Sequence, residues 1–208
     1  QQVVNSLGAD ILRLWVAATD YSGEMSVSDE IIKRVADSYR RIRNTARFLL
    51  GNLHGFESGQ QLPVHELIEL DRWAIDRTRQ LQDAIVGHYE RYEFHRIYQE
   101  LHNFCVVDMG GFYLDIIKDR LYTTGAESHP RKSAQTAMLH VVEAMVRWMA
   151  PILSFTADEI WKALPGDRDE HGLWLAQWHE LPDAEAGSLN WTRLIGVRDA
   201  VSKVLEEL

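Results

Sequence analysis

The feature that most constrains this chain is the spacing of its apolar residues. Ile31, Val35, Tyr39, Ile42, Ala46, Leu49 and Leu53 recur every three or four positions, which places them on one side of a helix. The same period returns in Leu67, Leu70, Ile75 and Leu81, and again in Phe94, Ile97, Tyr98, Leu101, Phe104 and Cys105. No run alternates apolar and polar residues as a half-buried strand does. The expected fold class is therefore all-α, a helical bundle in which each helix buries one stripe. A chain of 208 residues with 46% hydrophobic content buries about 70% of its unfolded surface in such a fold and needs no staple.

Local signals divide the chain. Residues 1–27 hold a short amphipathic stretch, "ADILRLWVAATD", and a turn at Tyr21-Ser22-Gly23. Ser28 is the expected N-cap of the first long helix, with Asp29 and Glu30 in its first turn, where the helix dipole favours negative charge. Gly51 and Gly55 mark its end. A second long helix is expected from Val64 to Tyr89, and a third from Phe94, interrupted but not clearly ended by Gly110-Gly111. Pro130 suits the first position of a fourth helix, which Pro151 stops. Thr156 and Glu159 match a capping box. From Pro165 to Asn190 the chain is loop-rich, and a last helix begins near Trp191.

Composition excludes several classes. The single cysteine, Cys105, permits no intramolecular disulfide and points to a reducing, cytoplasmic setting. No apolar run approaches the ~20 residues of a membrane span, and the N-terminus has no secretory pattern. The chain lacks an initiator Met and reads as a piece of a longer protein. There is no Gly-rich phosphate loop, no Gly-x-Ser-x-Gly elbow, no His-Glu-x-x-His and no Cys-x-x-Cys. His88, His95 and His102 are seven residues apart and would share a face only if one helix ran through all three. Even then, two-turn spacing is too long for one ion without ligands from elsewhere. No metal site is expected, and Cys105, on an apolar stripe, is expected to be inert.

The charge distribution is uneven. The chain carries a formal net charge of −9, yet from Lys33 to Arg47 it has six basic residues and one acid, Asp37. On a helical wheel Lys33, Arg40, Asn44 and Arg47 fall in a narrow arc opposite the apolar stripe, with Arg43 on its border. Arginine forks suit phosphates, and Asn44 carries a donor–acceptor pair able to read a base edge. On pattern alone, a solvated charged face is the commoner explanation. A helical protein-interaction module that docks an acidic partner through this stripe is the competing reading.

The segment "GADILRLWVAATDYSGEMSVSDEIIKRVADSYRRIRNTARFLLGNLHGF" resembles the isoleucyl-tRNA synthetases just downstream of their catalytic core, as does "FYLDIIKDRLYT" at Phe112–Thr123. "RWMAPILSFTADEIW" at Arg147–Trp161 is similar to the valyl, leucyl and methionyl enzymes as well. The resemblance covers nearly the whole chain and is weakest in the Asn52–Pro63 and Pro165–Asn190 loops. It implies that residues 1–27 are a connector and residues 28–208 a helical anticodon-binding domain. The family's His-Ile-Gly-His and Lys-Met-Ser-Lys-Ser motifs, which serve isoleucine activation with ATP, are absent from these residues, so the fragment is expected to be catalytically inactive alone. ATP, Mg2+ and a structural Zn2+ are implied only for the parent, outside this chain. The implied partners are tRNA(Ile) and the remainder of a monomeric synthetase.

By position, the resemblance places Asn44 and Arg47 of "NTAR" on the helix that faces the anticodon, although the methionyl enzymes space their pair one residue differently. Lys118 and Arg120 also match the family pattern, as secondary tRNA contacts or as ion pairs with Asp115 or Asp119. Trp148 and Trp161 follow the apolar period and are expected in the core. Trp174 and Trp178 could stack on a base, or "LAQWHELP" could form a packed return strand. Arg168, in the acidic loop "GDRDEHG", is expected to be neutral to substitution.

Overall fold

Ser28 opens the longest helix as its composition dictates. Its extended backbone places Oγ to accept from the Ile31 amide at 3.2 Å, and helix α3 (Asp29–Asn52) follows. Gly55, with φ at 77°, turns the chain beyond it. The computed structural model describes residues 2–169, 171–184, 187 and 189–206, and among them every regular element is helical and none is a strand. Of the loop between Pro165 and Asn190, residues 170, 185, 186 and 188 lie outside the described set, as do residues 1, 207 and 208.

Two short helices precede α3: α1 (Gln2–Leu7) and α2 (Ala9–Ala18). Helix α2 buries Ile11, Leu14 and Ala17 in the same core as α3. The segment expected as a connector thus contributes a packed helix to the bundle.

Helix α4 (Glu69–Glu90) starts five residues later than its periodicity predicts. The preceding residues are held by α7 (His129–Met149), whose Thr136 and Ser133 hydroxyls accept the Leu62 and Ile68 amides at 3.1 and 2.8 Å. A single 3-10 turn, Val64–Glu66, fills the gap. Tyr92, with φ at 59°, separates α4 from α5 (Phe94–Asn103). His88 is therefore on one helix and His95 and His102 on another, so the three do not share a face.

The third helix does run through its glycines, but with altered winding. Residues Phe104–Tyr113 form a π-helical segment that joins α5 to α6 (Leu114–Thr123). A Cβ on Gly110 would lie 3.0 Å from the Cys105 carbonyl oxygen, and one on Gly111 3.2 Å from that of Val106. Glycines let the wider turn close without that crowding. Burial pushes the Cys105 thiol up to about 12, which removes any thiolate chemistry near neutral pH.

Helix α7 is the axis of the bundle. Ala134, Ala137, Met138, Val141, Val142, Met145 and Trp148 are all fully buried, and Ser133, Gln135, Thr136 and Glu143 are buried with them, so the helix is enclosed nearly all round. Helix α8 (Ser154–Ala163) and α9 (Trp191–Glu206) complete the order, with a 3-10 turn at Gly172–Leu175 between them. The stretch read as a return strand has no strand among its described residues. It is pinned instead through carbonyls: Gln177 accepts from Arg147 and His179 from Gln82, both at 2.8 Å.

Thr156 and Glu159 do not form a capping box. Thr156 lies inside α8, and the carboxylate of Asp10 on α2 caps the helix from across the bundle. It accepts from the Thr156 amide at 2.7 Å, its hydroxyl at 2.6 Å and the Phe155 amide at 3.3 Å. The exposed amides of a helix start are satisfied as well by a carboxylate from another helix as by a local one.

Candidate nucleic-acid interface

The amphipathic character of α3 decides what it presents. Ile32, Val35, Ala36, Ile42, Ala46 and Leu49 are buried, whereas Lys33, Arg40, Arg43, Asn44 and Arg47 are exposed. The structure thus leaves all five residues of the stripe on the surface. Lys33, Asn44 and Arg47 have no ion pair or side-chain hydrogen bond among the described residues, and Arg40 pairs with Asp37 at 2.9 Å one turn away. That pair is well exposed, and such bridges are worth at most about 1 kcal/mol.

Arg43 differs from its neighbours. Its Nη1 donates to the Tyr39 hydroxyl at 3.2 Å, and its Nη2 pairs with Glu159 of α8 at 2.8 Å. Tyr39 is in turn 2.8 Å from the Thr156 hydroxyl. Since the one Thr156 hydroxyl proton goes to Asp10, Tyr39 must be the donor in that contact. A one-way chain therefore runs from the Arg43 guanidinium through Tyr39 and Thr156 to the buried Asp10 carboxylate. The Tyr39 bond, ahead of Glu159, raises the Arg43 pKa, so this cation is permanent.

Between α3 and α8 lies an open cleft of about 590 Å³. Ala46, Leu50, Ile160 and Ala163 give it apolar walls, and Arg43, Arg47, His54 and Glu159 supply its polar groups. Among the described residues no group of three or more His, Cys, Asp or Glu could hold a metal ion.

The secondary candidates separate. Lys118 is exposed and pairs with Asp115 at 2.8 Å, one of the ion pairs open to it from sequence. Arg120 does not pair with Asp115 or Asp119. Both of its terminal nitrogens donate to Asp71 at 2.8 Å, and Asp71 is completely buried. Tyr113 and Ser133 donate to the same carboxylate, at 2.8 and 2.5 Å. Burial and the neighbouring Asp71 push the Tyr113 phenol far up, so it remains a donor. The Arg120 fork is fully committed to this internal hub, which ties α4, α6 and α7 together, and is not available as an RNA contact.

Trp174 and Trp178 line a different cleft, of about 520 Å³, with Arg147 and Pro151. Trp174 is 51% exposed and Trp178 39%, the latter with its ring 5.8 Å from that of Tyr89. Trp148 and Trp161 are buried, as their period predicts. Arg168, the control expected to be neutral beside the α3 stripe, is tied into the fold. It pairs with buried Glu143, and its guanidinium lies 5.0 Å from the Trp161 ring, as does that of Arg147 on the same indole. Burial would raise the Glu143 carboxyl, but hydrogen bonds from Arg168 and Arg147 outweigh it and hold it below the usual range. A sequence reading of "GDRDEHG" sees only the acids beside Arg168, not the glutamate 25 residues away.

Sequence reasoning missed Asp10, Tyr39, His54 and Glu159. Glu159 was concealed by its fit to a capping box, and nothing local marks Asp10 as a partner for a helix 146 residues on.

A family model described as the anticodon-binding domain of tRNA ligase matches residues 71–208. The chain belongs to the anticodon-binding domain family of tRNA ligases. Among curated relatives it is 63% identical to an isoleucine–tRNA ligase of Halorhodospira halophila, a match covering 100% of this chain and 22% of that protein. The isoleucine–tRNA ligase of Nitrosococcus oceani is 61% identical over 99% of this chain and 22% of its own length. The chain therefore spans about a fifth of the length of these relatives. Among solved structures, the ternary complex of Agrobacterium radiobacter K84 agnB2 LeuRS-tRNA-LeuAMS shares the fold. Its TM-score is 0.59 at 17% identity, covering 88% of this chain and 20% of that one.

Proposed function

We propose that this chain is the tRNA-recognition part of an isoleucine–tRNA ligase, and that the exposed face of α3 meets the anticodon stem-loop of tRNA(Ile). The observation that carries this reading is the exposed set Lys33, Arg40, Arg43, Asn44 and Arg47 on a chain of net charge −9. Basic side chains held out from an acidic body favour one phosphate-bearing ligand at one place. Unpaired loop bases are the readable part of RNA, which suits Asn44 beside them. Lys118, Trp174 and Trp178 remain surface groups that a longer RNA could reach. Activation of isoleucine with ATP and Mg2+, and the structural Zn2+, belong in this reading to residues outside the chain. The parent is a cytoplasmic monomer, and the 208-residue chain alone gives no isoleucine-dependent pyrophosphate exchange.

The test is tRNA binding by the full-length protein. Arg40→Glu and Arg47→Glu each weaken it, with folding stability changed by no more than about 0.5 kcal/mol, since both sites are exposed. Arg47→Ala lowers the log–log salt slope by roughly one. Asn44→Ala costs about 1–3 kcal/mol toward tRNA with the isoleucine anticodon and less toward another anticodon. Unchanged tRNA binding by both glutamate variants would return the stripe to a solvated face, or to a dock for an acidic protein.

A further inference from the structure

Among the described residues, Arg43 is the one member of the α3 face whose outward nitrogen is already filled by an anion from another helix. Tyr39 holds Nη1 from beneath, and Glu159 of α8 holds Nη2. Resting on the RNA-binding reading above, we propose that Glu159 is a built-in competitor of RNA. It occupies the Arg43 fork in the free protein and must give way to a phosphate when RNA binds.

Three observations support the exchange. The side chains of Arg43 and Glu159 are 47% and 61% exposed, so their bridge is a weak one that a phosphate can displace. The buried Arg120–Asp71 pair, with Asp71 at 0% exposure, shows what a locked bridge in this protein looks like. The second observation is positional. Glu159 faces Arg43 across the α3–α8 cleft and shares that cleft with Arg47 and His54, so its charge lies where an incoming phosphate would pass. Finally, the Tyr39–Thr156–Asp10 chain keeps one arm of the Arg43 fork fixed when Glu159 leaves. The cation is then presented in place and needs no search for a conformation. Glu159 acts on any RNA alike, because it opposes phosphate rather than a base. Its effect is to hold down the affinity of the face for polyanions in general.

The test compares Glu159→Gln and Glu159→Ala in the full-length protein, with binding of tRNA of the isoleucine anticodon and of another anticodon measured at several salt concentrations. Both variants tighten binding of both tRNAs, by about two- to fivefold, the range an exposed bridge allows. The salt slope changes little, because the phosphate reaches Arg43 in both proteins once Glu159 has given way. The gain is lost in an Arg43→Ala background. Asp119→Asn removes the same charge from an exposed site on α6 and produces no such gain. Unchanged or weaker binding overturns the proposal. So does an equal gain without Arg43, which would make the effect long-range charge, and so does a gain confined to one tRNA, which would make Glu159 a base contact. If Arg40→Glu and Arg47→Glu weaken binding while the Glu159 variants do nothing, only this inference fails. If the arginine variants also do nothing, the RNA-binding reading fails first.

Discussion

Replacing Arg120 with alanine separates an interior role from a ligand role at a residue that sequence left open. The change removes two of the four bonds to Asp71 and leaves its carboxylate fully buried, with only Tyr113 and Ser133 as donors. Removing one partner of a buried ion pair costs about 3–5 kcal/mol, because the surviving charge is neither hydrated nor paired. Two neutral donors remain, so the lower end, about 3 kcal/mol, is expected. For a chain of this size each kcal/mol moves the melting temperature by about 2–4 °C, which gives a fall of roughly 10 °C. Urea unfolding followed by circular dichroism measures the free energy directly. Arg120→Lys falls between the two, since a single ammonium cannot reproduce the two-pronged contact. Lys118→Ala, whose exposed pair with Asp115 contributes little, stays within about 0.5 kcal/mol and serves as the control. An Arg120→Ala chain that unfolds within about 1 kcal/mol of the unmodified one would refute the hub. Loss of tRNA binding by Arg120→Ala in urea-free buffer would have to be read against this loss of folding.

Arg168→Ala destabilises the chain by about 1.5–3 kcal/mol, because it removes charge-assisted bonds to buried Glu143, and thermal melting shows it. Acidification below neutrality tests the His140–His179 contact at 2.9 Å. Burial, and then the His140 charge, lower the His179 pKa to about 4, so the unfolded chain binds the proton more readily. Stability is fully present above about pH 6.5 and falls on the order of 2–3 kcal/mol as the pH drops toward 4. His179→Gln flattens that slope, measured as urea midpoints across the range. Asp10→Ala removes the cap from α8 and costs about 0.5–2 kcal/mol in the same assay. An unchanged midpoint would mean that α2 is not tied to α8 through this carboxylate.

Helical class, the limits of α3 and its exposed basic face could all be read from the residues in order. Each depends on local quantities: a period of three to four residues, a serine oxygen within reach of its own third amide, a glycine where φ turns positive. The continuity of the third helix through Gly110-Gly111 was legible too, though its π winding was not, because a glycine pair marks an interruption of the helical pattern and not how the turn is wound. The partners of the charged side chains belonged to tertiary structure alone. Arg120 finds Asp71 across 49 residues, Arg168 finds Glu143 across 25, and Thr156 finds Asp10 across 146. Helical period tells which residues turn inward or outward. Which acid meets which base depends on where helices cross, and the burial at that crossing decides whether the pair is a locked hub like Asp71 or an exchangeable bridge like Glu159.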